Sequence, residues 1–455
     1  MKRIIDIISY MLTALFCLSC ITPLDSDLAI NIRPGAYGPY GNTRLESSEV
    51  RNVLLLYSAG YTTQLPSYLR DDIKDLMKGW LPGDKRGDNV LLIYSHLPKT
   101  NNDLDTPTSP VLFRLHRDQE GNAVADTLIV YEPGTISASA LQMNKVMSYV
   151  KKEYPAKGYG MIFSSHGTGY LPAGFYKNPK YSLPAEGPRR RPGLYDPSPV
   201  PYMDWDFDPS LPVVKSIGAD VDRSTGSNLS YEIELDEFAQ AIPMKLDYLL
   251  FDACLMGGVE VAYELRDKCD IVGFSQTEVL AEGFDYTSLA KHLLGSRTPD
   301  PVSVCNDYFQ QYDNNTGVYR SATISVIMPD RMESLAQTCR MLFEKYRDGL
   351  SALDPNRVQR YFRSSYHWFY DLESIIIEAA RAENTNTEIT NADIASLRAA
   401  LDECILYKAA TPQFMSDFYI KTYSGLSMYL PANGTDYLDA YYKRLKWNID
   451  TSLVE

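Results

Sequence analysis

The sequence predicts an α/β protein built on a mostly parallel sheet with helices on both faces. Three observations predict it. Short, continuously apolar runs recur, among them Val53-Leu54-Leu55-Leu56, Val90-Leu91-Leu92-Ile93 and Tyr248-Leu249-Leu250-Phe251. Such runs read as strands buried on both faces. Helix-length stretches alternate with them, as in parallel sheets. Two of the runs end in polar turns, Ser165-His166-Gly167 and Asp252-Ala253-Cys254, and in such sheets ligands bind beyond the carboxyl ends of the strands.

The elements follow in order. Met1-Lys2-Arg3 precedes a mostly apolar run to Leu18 with one charge, Asp6. It reads as an export signal, short of the ~18–20 apolar residues of a membrane span. Phe16-Cys17-Leu18-Ser19-Cys20 resembles a bacterial lipoprotein processing site. That resemblance implies cleavage before Cys20, its lipidation, and an exported lipoprotein anchored in the membrane of the cell envelope or surface. Cleaved secretion without an anchor is the simpler alternative. Residues 21–48, rich in Pro, Gly, Asp and Asn, read as a tether.

The fold is expected to begin at residue 49. Strands are predicted at 52–57, 89–94, 111–115 and 127–131, with helices over 67–78 and 137–153. The strand at 160–164 leads into His166. The stretch 171–228 is irregular, and loops of that length are usually functional or disordered. The strand at 245–252 leads into Cys254, a helix follows over 257–267, and further strands are predicted at 270–276 and 321–328. These close a core at 331. From 332 to 455 the pattern is mainly helical, at 332–353, 368–380 and 391–407, with 423–430 expected to return to the sheet as a late strand.

Composition bounds the partners. The chain has 455 residues, 45% hydrophobic and 22% charged, a globular balance that suits one large domain with appendages or two domains. Its net charge of −14 lacks the basic footprint of a nucleic-acid binder and suits cationic substrates. Cys254, Cys269, Cys305, Cys339 and Cys404 of the mature part are odd in number and widely spaced. That pattern gives neither a disulfide scaffold nor a zinc site, and it predicts a free thiol. No cofactor or metal site is expected, since no EF-hand-like loop occurs.

Cys254 follows a strand at the expected start of a helix. There the helix dipole and free N–H groups favour a thiolate and stabilise an oxyanion. The ordinary alternative is a buried small hydrophobe. His166 alone among five histidines ends a buried strand with Gly167 and Gly169 close behind. An imidazole titrates near neutral pH and suits proton transfer, so the pair predicts a nucleophile and its base.

Ser165-His166-Gly167-Thr168-Gly169 and Phe251-Asp252-Ala253-Cys254-Leu255-Met256-Gly257 resemble the two active-site blocks of the clostripain family. That family belongs to the caspase, gingipain and legumain clan of cysteine peptidases. Tyr423-Ser424-Gly425-Leu426-Ser427-Met428-Tyr429-Leu430-Pro431 is similar to a late family segment. The resemblance implies a caspase-like αβα sandwich and hydrolysis of peptide or protein substrates after Arg or Lys. It implies a Cys254/His166 dyad, a thioester acyl-enzyme, and an oxyanion hole of the Gly167 and Cys254 N–H groups. Asp252 matches a family position in the substrate pocket, and Glu282 is a second candidate. A strand-end hydrogen-bonding role and a solvated loop charge are their respective alternatives. Self-cleavage is implied within 171–228, at Lys177, Lys180, Arg189, Arg190 or Arg191, where the arginine run also reads as a solvated cluster. Calcium dependence occurs among relatives. Two other functions fit the sequence: a catalytically silent, surface-binding lipoprotein with a peptidase fold, and acyl transfer to an amine.

Overall fold

A computed structural model describes residues 50–62, 65–84, 89–100, 103–175, 200–201, 220–222, 229–363, 367–383 and 387–455. Cys20 and the signal and tether segments lie outside the described residues, as do Lys177, Lys180, Arg189, Arg190 and Arg191.

A nine-stranded sheet organises the chain. Its strands are β1 (Asn52–Ala59), β2 (Val90–His96), β3 (Val111–Arg117), β4 (Ala123–Val130), β5 (Gly158–Ser164), β6 (Leu246–Asp252), β7 (Cys269–Phe274), β8 (Thr323–Ile327) and β9 (Ile405–Ala410). Their spatial order is β9-β8-β7-β6-β5-β1-β2-β3-β4. The five central strands, from β7 to β2, run parallel, and the two at each edge are antiparallel. Each residue of β1 and β2 is buried, as an unalternating apolar run requires.

The chain leaves β1 toward β2 on one side and returns to β5, β6 and β7 on the other. Crossovers between parallel strands are right-handed, so opposite directions of travel place helices on opposite faces. Accordingly α1 (Pro66–Lys78) packs on α5 (Tyr286–Leu294), and α5 on α6 (Pro301–Asp313). On the other face α2 (Ala140–Glu153) packs on α3 (Leu235–Ala241), and α3 on α4 (Val259–Glu264). Ser139 starts α2 inside the stretch expected to be helical from 137: its Oγ accepts the Gln142 N–H at 3.1 Å. The reversal beside β1 is a topological switch point, and the crevice there opens at the carboxyl ends of β1 and β5.

The C-terminal part departs from expectation at two places. Residues 405–410 do not continue a helix: α10 (Thr387–Cys404) stops at Cys404, and Ile405–Ala410 becomes the edge strand β9. The apolar positions of 391–407 suit a helix and a strand about equally, and tertiary pairing with β8 decides. Residues 423–430 do not enter the sheet. Ser427–Met428 pairs instead with Tyr370–Asp371 in a separate two-stranded ribbon.

Candidate active site

Register brings the two turns together. Strands β5 and β6 are adjacent and parallel, with Ser164 paired to Asp252. His166 and Cys254 therefore each lie two residues beyond the same rung, at the switch-point edge. Gly167 lets the turns pack: a Cβ there would stand 2.5 Å from the Cys254 carbonyl oxygen and 3.0 Å from the Met256 sulfur. Gly169 adopts φ +60°, and its Cβ would meet the Leu255 carbonyl at 2.6 Å. Any side chain at either glycine would push the histidine turn off the cysteine turn.

The cysteine turn is bent by strain. Leu255 has φ 62°, a left-handed conformation that costs an L-residue about 1–2 kcal/mol. Its side chain is fully buried, and its N–H donates to the Thr277 carbonyl at 2.9 Å. The Gly257 N–H donates to Ser275 at 2.8 Å. Residues 275–279, which follow β7, thus line the cysteine turn, and Val279 reaches the sulfur itself. Its N–H donates to Cys254 Sγ at 3.0 Å, and its carbonyl lies 3.6 Å from Sγ. A donor aimed at sulfur favours the thiolate.

This contact replaces the expected helix dipole. The helix after Cys254, α4, starts only at Val259 and has six residues. The late segment holds the intervening loop. Ser427 N–H donates to the Gly257 carbonyl at 2.9 Å, and Tyr429 N–H to Glu260 Oε1 at 2.9 Å. Tyr442 OH also donates to that oxygen, at 2.7 Å. Burial pushes the Glu260 carboxyl up to about 7 in spite of these donors.

None of the five described cysteines is in a disulfide, and all are buried. Burial raises the Cys269, Cys305 and Cys339 thiols far above their ordinary value and Cys404 to about 12. Cys269 Sγ donates to Leu265 O at 3.6 Å and Cys404 Sγ to Leu401 O at 3.4 Å, as protonated thiols do. The other histidines are engaged elsewhere. His96 meets Ser137 Oγ at 2.7 Å, His116 meets Asp126 at 2.9 Å, His292 meets Asp307 at 2.8 Å, and His367 packs on Tyr370. His166 borders a pocket of about 60 Å³, shared with Ala138, Glu232, Phe238 and Met256.

The two predicted pocket carboxylates separate. Asp252 is buried beneath the turn, and its Oδ2 accepts from Ser164 Oγ at 3.0 Å and Tyr286 OH at 2.7 Å. Glu282 is exposed on its loop. A third carboxylate, Glu278, escaped the sequence reading. It precedes Val279, its side chain is 2% exposed, and it holds Arg363 in a bidentate pair at 2.6 and 2.9 Å. Cys254 is among the groups acting on that guanidinium. The sequence carries no local mark of the pair, which joins positions 85 residues apart.

With the geometry in place, the comparisons define the class. The clostripain-family profile matches residues 57–181 and 204–453, so the chain belongs to the clostripain family of cysteine proteases. An inactive zymogen C11 protease from Parabacteroides distasonis is similar at 25% identity and TM-score 0.66, over 89% of this chain and 98% of that one. A secreted C11 cysteine protease from Bacteroides thetaiotaomicron shares the fold at 20% identity and TM-score 0.64, over 88% and 99%. A structure from the same organism, of a secreted C11 cysteine protease with an irreversible peptide inhibitor, shares it at 21% identity and TM-score 0.62, over 88% and 99%. No curated protein matches the chain.

Proposed function

We propose that the chain is an exported endopeptidase that cleaves after Arg or Lys through Cys254 and His166. The carrying observation is the shared rung Ser164–Asp252, which sets both side chains at one sheet edge. The Val279 N–H on sulfur supports Cys254 as the nucleophile. In this reading the Cys254 thiolate attacks the scissile carbonyl carbon. The Gly167 and Cys254 N–H groups receive the oxyanion. His166 gives a proton to the leaving amine as the C–N bond breaks, leaving a thioester. It then takes a proton from water, whose oxygen attacks the thioester; the C–S bond breaks, the acid leaves, and Cys254 thiolate with protonated His166 is restored.

Basic specificity draws support from Glu278. A buried carboxylate beside the thiol already pairs two-pronged with a guanidinium, the geometry that selects Arg. A substrate arginine would exchange with Arg363 there. Asp252 adds negative charge one layer below. The peptide inhibitor bound by the Bacteroides relative favours peptide substrates, and that relative's secretion favours export.

A panel of fluorogenic Arg, Lys, Asp and Asn substrates tests the reading, with Cys254→Ala as control. Turnover of Arg and Lys substrates that vanishes in the control is expected. Silence on every substrate, with and without reductant, would sink the peptidase, and a preference for Asp or Asn would sink the basic pocket. Lipidation is read by labelled fatty-acid incorporation, lost in Cys20→Ala. Self-cleavage at Lys177, Lys180 or Arg189–Arg191 is read by intact mass, and it should be absent in Cys254→Ala.

A further inference from the structure

We propose that a basic groove in the C-terminal part is a second binding site, one that takes a carboxylate-rich stretch of the peptide substrate. The groove has a volume of about 650 Å³. It lies between residues 355–360, α9 (Leu372–Ala382) and the ribbon of Gln413–Phe414 with Phe418–Tyr419. Its charged lining is Arg357, Arg360, Arg381 and Lys421 against one carboxylate, Glu378. On a chain of net charge −14 this is a local reversal of sign.

The single carboxylate is already used. Glu378 is buried and pairs with Arg357 at 3.0 Å and with Arg381. Arg360 and Lys421 have no carboxylate partner among the described residues. The Arg360 guanidinium lies 5.4 Å over the Phe418 ring and donates only to the Asp417 carbonyl, at 3.4 Å. The floor is stitched in place by Gln359. Its Oε1 accepts the Lys421 N–H at 2.7 Å, its Nε2 donates to the Tyr419 carbonyl at 3.1 Å, and its own N–H donates to Ser374 Oγ at 2.9 Å. A fixed floor lowers the ordering cost of binding. Tyr419, 63% exposed, offers a ring at the rim.

The substrate itself is the occupant because one short segment, residues 360–363, joins groove and site. Arg360 faces the groove, and Arg363, three residues on, pairs with Glu278 beside Cys254. Three extended residues span at most ~11 Å. A peptide with its basic residue at Cys254 would thus present side chains three or four positions away to the groove. This use in turnover rests on the peptidase reading, whereas binding to the groove does not.

Two measurements separate those dependencies. In the first, a fluorescein-labelled peptide with four glutamates is titrated by anisotropy into Cys254→Ala protein, against its glutamine counterpart. The glutamate peptide should bind about tenfold tighter, the worth of two or three exposed ion pairs. The preference should vanish in Cys254→Ala carrying Arg360→Glu and Lys421→Glu, provided its thermal midpoint is unchanged. Equal binding of the two peptides, or a preference that survives charge reversal, overturns the site. So does binding of inorganic phosphate or a sulfated polysaccharide without the glutamate peptide. In the second, active protein cleaves Arg substrates extended by glutamates or glutamines. A lower KM for the glutamate series at equal kcat is expected, and it should be lost on charge reversal while short Arg substrates turn over unchanged. Binding in the first measurement with no KM difference in the second overturns the substrate as occupant. Failure of all turnover alongside intact binding condemns the peptidase reading alone.

Discussion

Cys254 and Cys269 sit on neighbouring parts of one sheet in different surroundings. Cys269 opens β7 and donates its proton to a helix carbonyl, with burial holding the thiol protonated. Cys254 lies beyond the end of β6 and accepts an N–H from Val279. Both are fully buried, so burial does not distinguish them. What differs is an added donor. Each sulfur lies 3.6 Å from a backbone carbonyl. Cys254, beyond the carboxyl end of its strand, also receives the Val279 N–H at 3.0 Å, and Cys269 at the start of β7 has no such donor among the described residues.

The largest test of that contrast is loss of turnover. Cys254→Ala should abolish cleavage, and His166→Ala should lower kcat by about 10²–10⁴-fold, the worth of a positioned acid and base. Cys269→Ala should cleave at the wild-type rate. Full activity in Cys254→Ala would erase the distinction.

Glu278 precedes the residue that reaches the sulfur, so its ion pair with Arg363 comes next. Glu278→Gln takes the bidentate partner from Arg363, whose side chain is 16% exposed, and should destabilise the fold by about 3 kcal/mol in chemical denaturation, the low end for a broken buried pair. Adding Arg363→Met should restore most of it. Equal losses in the single and double variants would show that the pair does not fix this loop.

Glu260, on the other side of the nucleophile loop, gives a pH-dependent test. Its folded value of about 7 lies above the unfolded carboxylate value, so the folded protein binds this proton more tightly. The contribution is fully present below about pH 4.5, declines as pH rises, and is gone above about 7. Glu260→Gln, neutral throughout, should gain roughly 3 kcal/mol over wild type at pH 8 and little at pH 4. A gain that is flat with pH would remove the charge from the explanation. The smallest effect is expected from Gly167→Ala, whose methyl meets the Cys254 carbonyl. It should cost about 1–3 kcal/mol, with kcat falling further than stability alone explains.

The parallel core was legible because β1, β2, β5 and β6 are short apolar runs with no competing period. The placement of His166 and Cys254 just beyond strand ends was legible because each follows a buried apolar run; that the two strands are neighbours in register was not. Position 405 was not, since Ile405-Leu406-Tyr407 carries no signal that a helix has ended. Glu278, Arg363 and Val279 were hidden for a different reason. Their roles come from contacts between distant segments, and a lone Glu in Ser275-Gln276-Thr277-Glu278 looks like any polar loop residue. Asp252 shows the converse: its place beside the nucleophile was readable, but its engagement by Ser164 and Tyr286 was not.

The hold of Ser427 and Tyr429 on the loop after Cys254 also bears on the order in which the chain can assemble. The Ser427 Oγ contact to Gly257 spans 170 residues of chain. During synthesis the parallel strands can pair long before that segment emerges, leaving a folded sheet whose nucleophile loop is still untied. A chain truncated before Ser427 should therefore stay compact yet leave that loop untied, read as native-like circular dichroism together with lost cleavage of Arg substrates.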